Sequence, residues 1–137
     1  MTDDRLEPTI DREYVVAFFR QAAVDGPPQL GVRVVTTREF TSFAYELALN
    51  VRLDAARGLL RIEIGGLSIP SVMMPSAGGA VAERYVVMPE TGVLDVEIAR
   101  KSSVQQSRLV IAASGLEVDW EKSASDFANL IVVESVV

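Results

Sequence analysis

From Phe43 to Leu53 the chain alternates without a break. Phe43, Tyr45, Leu47, Leu49, Val51 and Leu53 are apolar, and Ala44, Glu46, Ala48, Asn50 and Arg52 lie between them. Successive side chains leave a strand on opposite sides, so a period of two marks a strand with one buried face. A chain that contains such a strand must build a sheet to cover it. The next residues supply a partner. Asp54 to Gly58 reads as a turn, and LLRIEIGG follows with Leu60, Ile62 and Ile64 on one face and Arg61 and Glu63 on the other. Proximity and pattern make the two a hairpin, with Arg52, Arg61 and Glu63 on its solvent side.

The same period recurs along the chain. GVRVVTT from Gly31, ERYVVMP up to Pro89, VLDVEIA with Leu94, Val96 and Ile98 inward, RLVIAAS, and LEVDW with Leu116, Val118 and Trp120 inward all read as strands. FANLIVVESVV closes the chain as a strand apolar on both faces. ARKSSVQQS reads as a polar connection and EKSASD as a loop. Short strands separated by turn signals, with no βαβ rhythm, point to a mainly β fold: an antiparallel β-sandwich of seven to eight strands.

One element departs from this period. Tyr14, Val15, Phe18, Phe19 and Ala22 form a stripe at helical spacing, Asp11 stands where a cap would, and Asp25-Gly26-Pro27-Pro28 is a strong stop. The spacing favours an N-terminal α-helix over 11–25. Tyr14, Val16 and Phe18 also alternate, which keeps a strand open. Residues 1–10 read as a flexible acidic tail and 11–137 as a single domain, in keeping with a length of 137 residues.

Composition removes whole classes of chemistry. The chain has neither histidine nor cysteine. Ser-His-Asp and Cys-His catalysis are therefore excluded, and so are the usual ligand sets of zinc, blue copper and iron-sulfur centres. No Gly-rich phosphate loop of the usual spacing occurs. A net charge of -6 with scattered arginines disfavours nucleic acid, which needs a basic face. The acidic start, the absence of a long apolar run and the lack of cysteine lead to an expectation of a cytoplasmic protein with no membrane span.

Carboxylates remain. Asp95 and Glu97 share one strand face, and Glu117 and Asp119 share another. Such pairs can perform acid-base work when their environments drive their pKa values apart. Here both alternate with apolar residues, so they read as solvated faces. Lys101 beside Ser102 and Ser103 reads as a plain loop. No cofactor is implied, and the chain is read as not an enzyme.

The segment GGLSIPSVMMPSAGGAVA, residues 65–82, carries no charge and is rich in glycine and proline. It also holds Leu67, Ile69, Val72, Met73 and Met74. A long irregular connection in a compact domain is often functional. It could cover its own core, bury its methionines against another chain, or lid an apolar cavity. The apolar end LIVVESVV invites edge pairing with a second copy. The expected role is a non-catalytic binding or assembly module, with a protein partner or itself, through loop 65–82 and possibly a sheet edge. The alternative is a carrier of a small apolar ligand between the sheets, and the third reading is a carboxylate-dependent enzyme.

Overall fold

A computed structural model describes residues 13–40, 46–68, 78–123 and 127–133. Nine strands occur among them: β1 Tyr14–Gln21, β2 Gln29–Phe40, β3 Glu46–Asp54, β4 Leu59–Ser68, β5 Gly78–Val87, β6 Gly92–Arg100, β7 Ser103–Ala112, β8 Gly115–Val118 and β9 Ala128–Val132. They form a four-stranded sheet in the order β5-β2-β1-β9 and a five-stranded sheet in the order β3-β4-β6-β7-β8.

Both sheets are mixed. Most pairs are antiparallel, but β1 pairs with β9 and β4 with β6 in parallel. The expectation of a purely antiparallel arrangement is therefore corrected. A parallel pair needs a crossover, for which a helix is the usual carrier. Here β5 takes that place: the chain leaves β4, runs through the other sheet as β5, and returns as β6. No helical rhythm was needed, so none was visible.

The inward residues of the two sheets make one core cluster. Val16, Phe18, Leu30, Val32 and Val34 from the four-stranded sheet meet Leu60, Ile62, Leu94, Val96, Ile98 and Leu109 from the five-stranded one. Each fully buried side chain of this size contributes about 1.5–3 kcal/mol of transfer free energy. The β3–β4 hairpin folds as its pattern requires. Arg52 pairs with Arg61 in register, Asp54 Oδ1 accepts from the Arg57 amide at 3.2 Å, and Gly58 takes a positive φ.

No α-helix occurs among the described residues, so the expected helix over 11–25 is corrected to strand β1. Val16, Ala17 and Phe18 are buried in succession. This strand lies between β2 and β9 and carries apolar residues on both faces, Val16 and Phe18 toward the core and Val15, Ala17 and Phe19 outward, so its apolar residues run continuously. A continuous apolar run fits a helical stripe as well as a strand, and periodicity alone cannot separate the two. The Asp25-Gly26-Pro27-Pro28 stop is the turn into β2, with Gly26 at φ 100°.

A further correction comes from polar residues that point inward. ARKSSVQQS is not a connection: Lys101 and Ser102 alone make the turn, and Ser103 begins β7. Gln105 and Ser107 of that strand are buried. Gln105 donates from Nε2 to the Ala128 carbonyl at 3.0 Å, and its Oε1 accepts from the Phe127 and Ala128 amides at 3.1 Å each. The side chain thus acts as a short piece of sheet at the start of β9. Arg100 adds a second tie. Its Nη1 donates to both carboxylate oxygens of Glu13 at 2.7 Å, and its guanidinium lies 4.9 Å from the Phe127 ring centre. Glu13 and Tyr14 both donate their amides to the Phe127 carbonyl, at 2.8 and 3.1 Å.

The grip of Gln105 is testable. Gln105→Ala leaves buried backbone groups at 127–128 unsatisfied and should cost about 3 kcal/mol in urea unfolding. Gln106→Ala, one exposed position along, should change stability by about 0.5 kcal/mol or less.

Candidate functional site

The outer faces of the two sheets differ in chemistry. On the five-stranded sheet the outward face carries a cluster of charged, mutually paired side chains, with Val93 and Val104 exposed towards its ends. Arg61 donates to Glu97 at 2.8 Å and to Glu63 at 3.1 Å. Arg52 and Asn50 also donate to Glu63, each at 3.2 Å. Arg108 meets Asp95 at 3.1 Å. The bonds from Arg61, then from Asn50, hold the Glu63 carboxyl below the usual glutamate range. Bonds to Glu63 and Glu97 in turn raise the Arg61 guanidinium. Asp95 and Glu97 are thus paired with arginine on a solvated face. Asp119 is set apart from Glu117: it caps a 3-10 turn over Trp120–Lys122, accepting from the Glu121 amide at 3.2 Å.

The four-stranded sheet turns the opposite kind of surface outward. Register places Val81, Val35 and Val15 in one row across β5, β2 and β1. Tyr85, Gly31 and Phe19 form another row, and Ala17 and Ile131 lie side by side between β1 and β9. Val81, Tyr85, Val87, Ile131 and Val133 are all more than two-fifths exposed. One ion pair interrupts this face: Arg33 Nη1 to Glu83 Oε2 at 3.6 Å.

An aromatic contact shapes the face. The Phe19 ring lies over Gly31, where a Cβ would collide with it. Phe19 also meets Tyr85 edge to face, with centroids 5.8 Å apart and planes at 87°. Glycine leaves a gap in a sheet surface, and a neighbouring aromatic ring fills it. The Tyr85 hydroxyl donates to Glu83 at 2.9 Å, and that bond raises its pKa.

Of the five residues singled out in loop 65–82, Leu67 is described. It sits near the end of β4 opposite Leu47 and is 42% exposed. Ile69, Val72, Met73 and Met74 lie outside the described residues. The segment is shorter as a loop than its composition suggests, because β4 runs to Ser68 and β5 begins at Gly78. Glycine and proline in the segment hid the strand ends on both sides. Tyr45 and the residues 1–10 and 134–137 also lie outside the described residues.

Trp120 is a correction. Its spacing from Leu116 and Val118 predicts a core position, yet it is 58% exposed. Asp119 ends β8 by capping the 3-10 turn, so the alternation stops at Val118 and the indole points out. The Asp119 side chain bonds to a backbone amide two residues on, a local alternative to the strand ladder that the alternation of apolar residues does not record.

Two clefts lie among the described residues. One, of about 510 Å³, opens between the sheets where the β3–β4 and β5–β6 turns meet. The other, of about 540 Å³ and more polar, runs between the β3 edge at Glu46–Ala48 and the β5 edge at Val81–Arg84. No group of three or more acidic side chains placed to hold a metal ion occurs among the described residues. No helix among them is long and apolar enough to cross a membrane.

The chain matches no family model, and no curated protein or solved structure matches it.

Two outcomes check this geometry. Gly31→Ala should displace the Phe19 ring and cost about 1–3 kcal/mol, the range for overpacking, measured by thermal or urea unfolding. Glu63 has a lowered pKa in the fold, so its contribution to stability is complete above the ordinary glutamate value near 4.3 and is lost as pH falls through the folded value. A pH series of urea unfolding should therefore show an acid limb that is shallower in Glu63→Gln than in the native protein.

Proposed function

We propose that the chain is a non-catalytic assembly module. We read its two sheets as the halves of a sandwich, and its contact surface as the apolar outer face of β5-β2-β1-β9. The observation that supports this is the contrast between the two outer faces. One carries a network of paired charges at its centre, with Val93 and Val104 towards its ends. The other is mainly valine, isoleucine and aromatic side chains, interrupted by Arg33, Glu83 and Asn129. A soluble chain places polar residues on a solvated sheet face unless that face is covered.

Size and charge favour a second copy as the cover. At a strand spacing of about 4.8 Å and a rise of about 3.4 Å per residue, the face spans roughly 20 by 20 Å, or about 400 Å² in projection. That equals the largest patch a monomer usually exposes and is about half of one partner's share in a standard interface. It suits a concentration-dependent dimer. The chain carries a net charge of -6, so two copies repel over most of their surfaces. On the apolar face Arg33 and Glu83 cancel, and there the copies meet with least repulsion. Leu67, exposed at the end of β4, keeps loop 65–82 as an additional contact in this reading.

The carboxylate-enzyme reading has less support. A general acid needs a raised pKa, whereas arginine holds Glu63 down and pairs with Asp95 and Glu97.

Light scattering across a range of concentrations tests the proposal. The native protein should rise in mass from monomer towards dimer. A Tyr85→Lys, Ile131→Lys double variant should remain a folded monomer at every concentration. A native protein that stays monomeric throughout contradicts the reading, and so does a variant that dimerises as well as the native chain.

A further inference from the structure

We propose that the cleft between the β3–β4 and β5–β6 turns binds a small apolar molecule that carries one cationic group. The site adjoins the docking face at Val87, but its walls do not depend on that face being covered. Leu53 and Leu94 of the five-stranded sheet form one wall, and Met88 and Pro89, just after β5, form the other. The floor is the end of the core itself: Leu94 is buried, and Leu53 and Met88 pack against the core cluster. Ala55, Ala56 and Gly58 of the β3–β4 turn complete the rim with little side-chain bulk.

The walls are fixed from outside the cleft. The Met88 amide donates to the Pro28 carbonyl at 3.1 Å, and the Asp95 amide donates to the Gly58 carbonyl at 2.9 Å. A cavity held in this way is formed before a ligand arrives, which lowers the cost of binding. Its volume, about 510 Å³, lies within the range of roughly 300–1,000 Å³ that holds small ligands. The methionine thioether lets one wall adapt to shape.

The charge of the ligand follows from the lining. Glu90 is the one ionisable residue that lines the cleft. The nearest arginine in the turn, Arg57, is directed at Asp54, with Nε 4.0 Å from Oδ2. No ion pair to Glu90 occurs among the described residues. An apolar cavity with a single carboxylate at its mouth selects a molecule with an apolar body and an ammonium head. It rejects the same body ending in a carboxylate.

The test uses the full chain with three probes of equal length: hexylammonium, hexanol and hexanoate. Backbone amide shifts are followed by NMR during titration. Hexylammonium should cause saturable shifts confined to residues 53–58 and 87–94. Hexanol should bind the same residues more weakly, and hexanoate should not bind. Glu90→Gln, at an exposed position, should weaken hexylammonium about two- to five-fold, the worth of an exposed ion pair, and leave hexanol unchanged. Val93 also lines the cleft and is exposed, and Val93→Asn should weaken both. The proposal is overturned if the shifts fall elsewhere or fail to saturate. It is equally overturned if hexanoate binds as well as hexylammonium, or if Glu90→Gln leaves hexylammonium unaffected.

Discussion

The width of the four-stranded sheet depends on one buried amide. Gln105 sits on β7, in the opposite sheet, and points into the core with no exposed surface. An unpaired primary amide there would cost several kcal/mol in lost hydration. Its three bonds to the backbone of Phe127 and Ala128 remove that cost and fix where β9 begins. From that start β9 runs parallel to β1, with Ala128 opposite Tyr14 and Val132 opposite Phe18. Arg100 and Glu13 reinforce the same corner. The consequence reaches the surface. With β9 in place β1 becomes an interior strand, and Ile131 and Val133 extend the outer face to four strands.

That face and its counterpart show how one alternation serves two purposes. In the five-stranded sheet, inward apolar residues alternate with arginine and carboxylate, and the charges satisfy one another in pairs that add little to stability. In the four-stranded sheet most outward positions are apolar as well, with Arg33, Glu83, Asn129 and the Gln21–Gln29 end as the exceptions. The fold does not require this, because the core is already complete on the inner side. Phe19 spread over Gly31 and set edge-on to Tyr85 makes part of the surface firm and flat. Firm aromatic surface loses little side-chain entropy when it is covered, which makes it an economical contact.

Much of the five-stranded sheet was legible because its strands have one wet face. Leu60, Ile62, Ile64, Leu94, Val96 and Ile98 stand inward as their alternation requires. Legibility failed where both faces are apolar or where the inward residue is polar. β1 looked helical because Val15 and Phe19 face outward while Val16 and Phe18 face the core. β7 looked like a loop because Gln105 and Ser107, its inward residues, are polar. Trp120 looked buried because the alternation gave no sign that Asp119 would cap a turn. The apolar outer face was hidden for the same reason as β1: continuous apolar strands record burial but not what covers each side. The interfacial cleft was hidden because its lining comes from two turns more than thirty residues apart in sequence.

The most direct measurement of this account is native-state hydrogen exchange on the strands of the four-stranded sheet. If the buried Gln105 makes β9 an integral strand, its amides exchange only through the same opening that exposes β1 and β2. Their opening free energies and their denaturant dependence then coincide. If β9 amides exchange through a separate, shallow local opening while β1 and β2 stay protected, the sheet is three strands wide. The four-stranded apolar face, and the assembly role built on it, would then be contradicted.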